Sequence, residues 1–214
     1  MDRDSIKEPL DVLEFAIQKL LSALDKEELF CAIQRLNATI SDNSPFSEHP
    51  IESIRWVSVS DIQPNNYNPN VMAPSESKLL ELSIKENGFT QPIVVKEEGG
   101  RFIIIDGFHR YNLVKKKKTL LKKTNGMVPV VILHEDKRAE LIVATVRHNR
   151  ARGEHQITLM SDIVKELSLL GMSDEDIGVK LGMDADEVLR FRQITGLREA
   201  FSDADFSPAW TVKE

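Results

Sequence analysis

A run of four apolar residues in the middle of the chain, FIII at 102–105, stops at Asp106-Gly107 and is followed by residues with helical spacing. A short apolar run rich in β-branched residues is typical of a buried strand. The turn from strand to helix leaves backbone N–H groups without partners at the positive end of the helix dipole, which suits an anion. The pattern therefore predicts an α/β unit with an anion-binding corner.

The residues around this turn carry suitable donors. Gly107 lets the backbone approach a ligand closely because it has no Cβ. His109 and Arg110 add side-chain donors, and an arginine can bind a phosphate through two N–H groups. Asp106 could hold a magnesium ion or accept a proton from a ligand hydroxyl. The alternative is structural: Asp106 caps the helix and Arg110 pairs with a surface carboxylate.

The apolar spacing along the rest of the chain predicts a helical arm, an α/β unit and a helical unit, in that order. Residues 9–39 have helical spacing with a break around Asp25, and turn residues follow at 41–45. In the α/β unit, the predicted elements are a strand at 54–57, a helix at 75–87 capped by Ser75 or Ser77 and ended by Gly88, hairpin strands at 91–96 and 101–105, one helix over 107–123, a strand at 128–133 and a helix at 136–150. In the helical unit, they are helices at 157–170, 173–181 (capped by Ser173) and 184–195 (ended by Gly196). An irregular tail follows at 201–210. The last two helices suit a helix-turn-helix.

The formal net charge of −6 is unevenly distributed. Residues 101–152 carry 13 basic and 4 acidic groups, whereas residues 153–214 carry 6 and 13. The basic segment is where an anionic ligand is expected, and the acidic segment is a poor surface for a nucleic-acid backbone. A single cysteine, Cys31, excludes an internal disulfide. The sequence shows neither a secretory signal nor an apolar run long enough to span a membrane, so the expected location is the cytoplasm.

The stretch VSVSDIQPNNYNPN…LLELSIKENGFTQPIVV, followed by IIIDGFHRYNLV, resembles the N-terminal domain of the ParB/sulfiredoxin superfamily over roughly residues 53–152. The residues from RHNRARGEHQ onward resemble the IbrB/YbdM-type branch of that superfamily. The resemblance implies an α+β fold. It comprises an N-terminal helical arm (1–45), a small mixed-sheet nucleotide-binding domain (53–152) and a helix-turn-helix-like domain (153–214).

The superfamily binds nucleotides, namely CTP in ParB proteins and ATP in sulfiredoxins and free-serine kinases. The segment DGFHR at 106–110 is most similar to the Asp-Gly-His-His-Arg of the serine kinases, which implies ATP, or a related nucleoside triphosphate, more than CTP. Phe108 stands where sulfiredoxin has its catalytic cysteine, so sulfiredoxin chemistry is excluded. ParB has acidic residues where this chain has Phe108 and His148, which argues against ParB-type magnesium-assisted hydrolysis.

A second cluster, RHNRAR at 147–152, either complements a helix C-terminus or, as the family implies, lies beside the phosphate motif. The resemblance makes Asp106 the candidate catalytic residue, with magnesium as a candidate metal beside it. The candidate phosphate-binding residues are Gly107, Phe108, His109, Arg110, Asn149, Arg150 and Arg152, with Gln91, Pro92 and His148 as additional candidates. The lysines at 115–118, 122 and 123 are interpreted as a solvated helix face in preference to a nucleic-acid or phosphate site. His155 is interpreted as structural or phosphate-adjacent, and not as a zinc ligand.

The leading hypothesis is a regulatory protein whose phosphate site binds an ATP-like nucleotide and controls a helical interaction domain. The IbrB resemblance implies a partner resembling a phosphoadenosine-phosphosulfate reductase. One alternative is an NTPase or small-molecule kinase, with Asp106 as base. Another is a DNA-binding regulator, which is disfavoured because carboxylates at 174–176 and 184–187 occupy the first turns of the last two predicted helices. A protein-interaction or dimerisation role is favoured over DNA, and a homo-oligomer is left open.

Overall fold

The computed structural model describes residues 6–65, 72–135, 137–150 and 157–200, without the side chains of 148–150, 157–159 and 197–200. The predicted irregular tail lies outside these residues. The described strands are β1 (Arg55–Ser58), β2 (Ile62–Gln63), β3 (Ile93–Glu98), β4 (Arg101–Asp106) and β5 (Met127–Ile132). The described α-helices are α1 (Lys7–Ser22), α2 (Lys26–Asp42), α3 (Pro74–Asn87), α4 (Phe108–Lys116), α5 (Lys118–Lys123), α6 (Arg138–Arg150), α7 (Ile157–Leu169), α8 (Asp174–Leu181) and α9 (Ala185–Ala200).

The strands form one mixed sheet in the order β1-β5-β3-β4-β2. Strands β3 and β4 pair antiparallel as the predicted hairpin, and its two turn glycines, Gly99 and Gly100, have positive φ angles of 57° and 76°. Strand β2 runs parallel to β4, and β5 runs parallel to β3. The predicted α+β class with a small mixed sheet is confirmed.

Helices α3, α4 and α5 cover the sheet and contribute Ile84, Leu113 and Leu120 to its core. The ring of Tyr111 in α4 is also buried there, and its hydroxyl donates a hydrogen bond to the backbone oxygen of Ile62 at 3.1 Å. Because a buried phenol needs a partner, this bond ties α4 to the β2 edge of the sheet.

Helix α6 contributes to two of the three hydrophobic clusters formed by the described residues. Its Leu141 and Ala144 pack against Ile105 of β4. Its Ile142 and Val146 belong instead to the core that α6 forms with α7, α8 and α9. The helical unit is therefore attached to the sheet through α6, beside the strand that leads to the predicted anion-binding corner.

The predicted start of one helix and the predicted continuity of another are wrong. Helix α3 begins at Pro74, and the N–H of the preceding Ala73 donates to Glu76 Oε2 at 3.1 Å, so neither predicted serine is the cap. Proline suits this first position because its φ angle is preset for a helix. The single helix predicted over 107–123 is two helices, since Lys117 has an extended backbone (φ −100°, ψ 105°) and pairs with Glu81 at 2.8 Å.

The predicted end of the last helix at Gly196 is also wrong, because α9 continues to Ala200. The hydroxyl of Thr195, just before the glycine, donates to the backbone oxygen of Ser161 at 3.0 Å and ties this turn to α7. Tertiary contacts of this kind outweigh the cost of a glycine inside a helix, which is about 1 kcal/mol. Ser173 caps α8 as predicted.

The predicted break in the N-terminal arm is confirmed at Asp25, whose carboxylate accepts hydrogen bonds from the N–H groups of Glu27 and Glu28. Among the residues of α1, all of which are described, none is buried. Within the described part of the chain, no helix combines the length and apolar character needed to span a bilayer.

We expect Tyr111→Phe to lower the free energy of unfolding by about 1 kcal/mol, because the backbone oxygen of Ile62 loses its buried donor. Urea denaturation of the two proteins measures the difference. Asn112→Ala, one residue further along α4, serves as a matched control, and an equal loss in both variants would contradict the assignment.

Candidate functional site

The corner predicted from the sequence lies where β4 ends and α4 begins. The last residue of β4, Asp106, is opposite Val94 near the start of β3. Because the two strands are antiparallel, the residues just before β3 lie beside this corner. Gln91 is one of them, and its Oε1 accepts a hydrogen bond of 2.6 Å from Arg110 Nη1. Pro92 follows it and is half-buried.

Gly107 makes the corner possible. Its backbone is left-handed (φ 93°, ψ 17°), a conformation that side chains with a Cβ rarely adopt. A Cβ here would lie 2.8 Å from Arg110 Nη2 and 3.2 Å from Ile93 Cα. Helix α4 starts at the next residue, so the first-turn N–H groups, which lack acceptors within the helix, are presented at the corner.

The guanidinium of Arg110 lies over Gly107. Its side chain is 12% exposed, and its Nη2 is 3.7 Å from Asp106 Oδ2. The space above the glycine, where the sequence pattern predicts a ligand, is therefore occupied by Arg110. The cation is nonetheless positioned at the corner. Its contact with Asp106 (3.7 Å) is longer than its hydrogen bond to Gln91 (2.6 Å), so an incoming anion could replace Asp106 more readily than Gln91.

The carboxylate of Asp106 is buried and contacts the corner on both sides. Oδ1 accepts from the N–H of Gly107 at 2.6 Å, and Oδ2 faces Arg110. Among the described residues, no group of three or more His, Cys, Asp or Glu side chains could hold a metal ion. A single carboxylate engaged in this way does not fit a magnesium site made by the protein alone, since such sites use carboxylates together with phosphate oxygens or water.

His109 lies on the first turn of α4 with its ring 5.6 Å from that of Phe108. Burial lowers the pKa of His109 below its usual 6.5, and the charge of Arg110 lowers it further. The carboxylates of Glu76 and Asp106 oppose this shift. The imidazole is therefore held mostly neutral at neutral pH, so that it can donate one hydrogen bond without adding charge.

Two further polar residues lie at this edge and were not selected from the sequence. Strand β2 is parallel to β4, so its continuation through Asn65 reaches the same edge as Asp106. Asn65 Nδ2 donates to Thr145 Oγ1 of α6 at 3.5 Å. Asn65 Oδ1 is buried and has no hydrogen-bond partner among the described residues. The asparagines in the stretch PNNYNPN were visible in the sequence, but the contact of Asn65 with a residue 80 positions away could not be read from it.

The second predicted cluster is only partly described. Helix α6 carries its first four residues, 147–150, and Ala144 on that helix contacts Ile105 beside the corner. Arg147 is exposed. The side chains of His148, Asn149 and Arg150, together with all of Arg152 and His155, lie outside the described residues, so their phosphate-binding role remains a prediction.

Three lysines of the segment from α4 to α5 make contacts within the protein. Lys115 Nζ donates to the hydroxyl of Tyr111 at 3.0 Å, and Lys117 pairs with Glu81. Lys123 Nζ donates to the backbone oxygen of Lys85. The interpretation of the run as a solvated helix face stays a prediction.

We expect Gly107→Ala to lower the free energy of unfolding by about 1–3 kcal/mol, because it adds both backbone strain and a clash. Gly99→Ala is the matched control, since Gly99 also has a positive φ (57°) but no atom within 4 Å of its would-be Cβ. Chemical denaturation measures both, and a smaller loss at Gly107 than at Gly99 would contradict crowding at the corner.

We expect His109 to make the protein less stable as the pH falls. Its pKa is lowered in the folded state, so below about pH 6.5 the unfolded chain binds more protons and unfolding becomes easier. The fall in melting temperature from about pH 7.5 to about pH 5.5 should be smaller in His109→Gln. The exposed His134→Gln is the control, and equal slopes in both variants would contradict the prediction.

Comparison with known proteins agrees with this architecture. Residues 45–149 match the family model described as the ParB N-terminal domain, and residues 155–203 match the IbrB-like C-terminal HTH domain. The chain is 49% identical over 198 residues to the uncharacterized protein YbdM of Escherichia coli (strain K12), covering 92% of this chain and 94% of YbdM.

More distant relatives share part of the chain. A nucleoid occlusion protein of Geobacillus kaustophilus (strain HTA426) is 28% identical over 164 residues, covering 76% of this chain and 56% of that protein. A solved Pnob8-like ParB-N domain has a TM-score of 0.49 at 14% identity, covering 71% of this chain and 73% of the other. The two domain matches and the extent of the YbdM match show that this chain belongs to the ParB/sulfiredoxin superfamily, in its IbrB/YbdM-type branch.

Proposed function

We propose that the chain is a regulatory protein that binds a nucleoside triphosphate by its phosphates at the corner between β4 and α4. The observation that carries the proposal is the left-handed Gly107 at the start of α4 with the Arg110 guanidinium held beside it. A helix N-terminus supplies N–H donors and a favourable dipole, and a guanidinium supplies two parallel donors. On binding, phosphate oxygens would take the place of Asp106 as the partner of Arg110.

The proposed ligand is ATP or a related nucleotide, on the resemblance of DGFHR at 106–110 to the serine-kinase motif. Asn65 at the same edge would add an acceptor for a ligand N–H or hydroxyl group. Asn149 and Arg150, at the end of α6, would add phosphate contacts, as would Arg152. Magnesium would enter with the nucleotide, held chiefly by phosphate oxygens.

The regulatory part of the proposal depends on α6. This helix packs on Ile105, next to the corner, and also forms part of the core of the helical unit. A ligand that binds one position of α6 better than another would shift how the helical unit meets a partner, since a ligand shifts an equilibrium by its differential affinity. The IbrB resemblance makes a protein resembling a phosphoadenosine-phosphosulfate reductase the first partner to test.

We expect ATP to raise the melting temperature in a thermal-shift panel of ATP, CTP, GTP and ADP, with and without magnesium. At about 100 times its dissociation constant, a ligand adds about 2.7 kcal/mol of stability. Each kcal/mol raises the melting temperature of a chain of this size by roughly 2–4 °C. Arg110→Gln should abolish the shift, while Arg101→Gln, at the exposed far end of β4, should keep it. No shift with any nucleotide would overturn the proposal.

A second candidate function is phosphoryl transfer, because the buried carboxylate of Asp106 lies directly at the corner. Kinase chemistry requires a positioned acid, a cation and a metal together. ADP release from ATP and magnesium, lost in Asp106→Asn, would support an enzyme. A thermal shift without turnover would support the nucleotide-binding regulator.

A further inference from the structure

Two large apolar side chains of the helical unit are exposed beside each other on α8 and α9. Val179 of α8 is 79% exposed and Leu189 of α9 is 52% exposed. Both line a groove of about 570 Å³ between the two helices, together with Gly178, Met183 and Ala185. Contiguous exposed apolar surface of this kind marks interaction sites on folded proteins.

The turn between α8 and α9 builds this groove. The N–H of Met183 donates to the backbone oxygen of Gly178 at 2.8 Å, and Gly182 is left-handed with φ 67°. A Cβ on Gly178 would lie 3.0 Å from the oxygen of Met183, so the absence of a side chain there lets the turn pack closely. Ile177 and Val188 are buried in the core, whereas Val179 and Leu189, which lie on other faces of the same two helices, remain at the surface.

The groove is surrounded by negative charge. Asp174 and Glu175 line it. Residues 174–192 contain six carboxylates and three basic groups. Two of those basic groups are in ion pairs, Lys180 with Glu140 at 2.6 Å and Arg192 with Asp174 at 2.7 Å. Arg192 neutralises Asp174, so the negative charge at the groove rests on Glu175 and on the excess of carboxylates over basic groups in this segment.

This charge distinguishes between the occupants that such a groove could have. A nucleic-acid backbone would be repelled at the positions where the second helix of a helix-turn-helix usually meets DNA. A second copy docked by twofold symmetry would place the same acidic surface against itself. A cationic partner with apolar anchors matches both the charge and the exposed valine and leucine.

We infer that the groove between α8 and α9 docks a basic amphipathic helix of another protein. Apolar side chains at spacing i, i+3 or i+4, and i+7 would pack on Val179 and Leu189. Flanking lysines or arginines would face Glu175. The inference stands without the nucleotide site, because none of these residues lies at the Gly107 corner.

The test uses the full chain and two fluorescein-labelled peptides of about 18 residues. One peptide places leucines on a single helical face with lysines elsewhere, and the other has the same composition with its leucines spread around the helix. We expect the amphipathic peptide to bind about tenfold more tightly. The Val179→Ser, Leu189→Ser double variant should lose this preference, since both side chains are exposed and their replacement leaves the core intact.

The matched control is Leu79→Ser, an equally exposed apolar residue on α3, which should keep the preference. Glu175→Lys should weaken binding of both peptides, because it removes part of the negative charge. The ATP-induced thermal shift should be unchanged in the groove variants, which separates this inference from the proposed nucleotide site.

Three outcomes would overturn the inference. The first concerns the peptides: the wild-type protein binds both equally, or the double variant keeps the full preference for the amphipathic peptide. The second is tight binding of a labelled DNA duplex that the double variant weakens, which would assign the face to nucleic acid. The third is a wild-type dimer in sedimentation velocity that the double variant dissociates, which would assign the face to a second copy.

Discussion

The contact of the Arg110 guanidinium with Gln91 and Asp106, above a left-handed glycine, organises the candidate site. It depends on two separate features of the backbone. The antiparallel register of β3 and β4 brings Gln91 to the end of β4. The positive φ of Gly107 then allows α4 to begin at once, so that Arg110, on its first turn, folds back over the corner. A Cβ at position 107 would crowd Ile93 of β3 and Arg110, and it would disfavour the positive φ.

Helix α6 joins this corner to the helical unit. One side of it meets Ile105, and the other side is part of the helical core. Thr145 on the same helix accepts a hydrogen bond from the side-chain amide of Asn65, which follows β2. A displacement of α6 would therefore move side chains at the sheet edge and in the helical core together, because close-packed interiors transmit displacement.

The helical unit shows how fold and function separate. Its backbone fits the helix-turn-helix match, with a serine-capped α8 and a glycine turn into α9. Its surface, however, combines carboxylates with exposed apolar side chains, and its cations at Lys180 and Arg192 are engaged in ion pairs. The charges, rather than the helix geometry, indicate the kind of partner that this surface fits.

The sequence by itself determined the features that depend on neighbouring residues. These include the apolar strand ending at Asp106-Gly107, the Gly99-Gly100 hairpin, the Asp25 break between α1 and α2, and the serine cap of α8. Each follows from spacing, turn chemistry or a local hydrogen bond. The family resemblance, which rested on the order of such features, supplied the α+β class as well.

Tertiary structure decided the rest, because it depends on contacts between distant residues. Helix α9 continues past Gly196 where the preceding turn is held by Ser161, 34 positions away from Thr195. The pairing of Asn65 with Thr145 follows from the parallel placement of β2 and the packing of α6. Arg110 was chosen from its residue type, but its position over the glycine is set by Gln91, which only the pairing of β3 with β4 brings near.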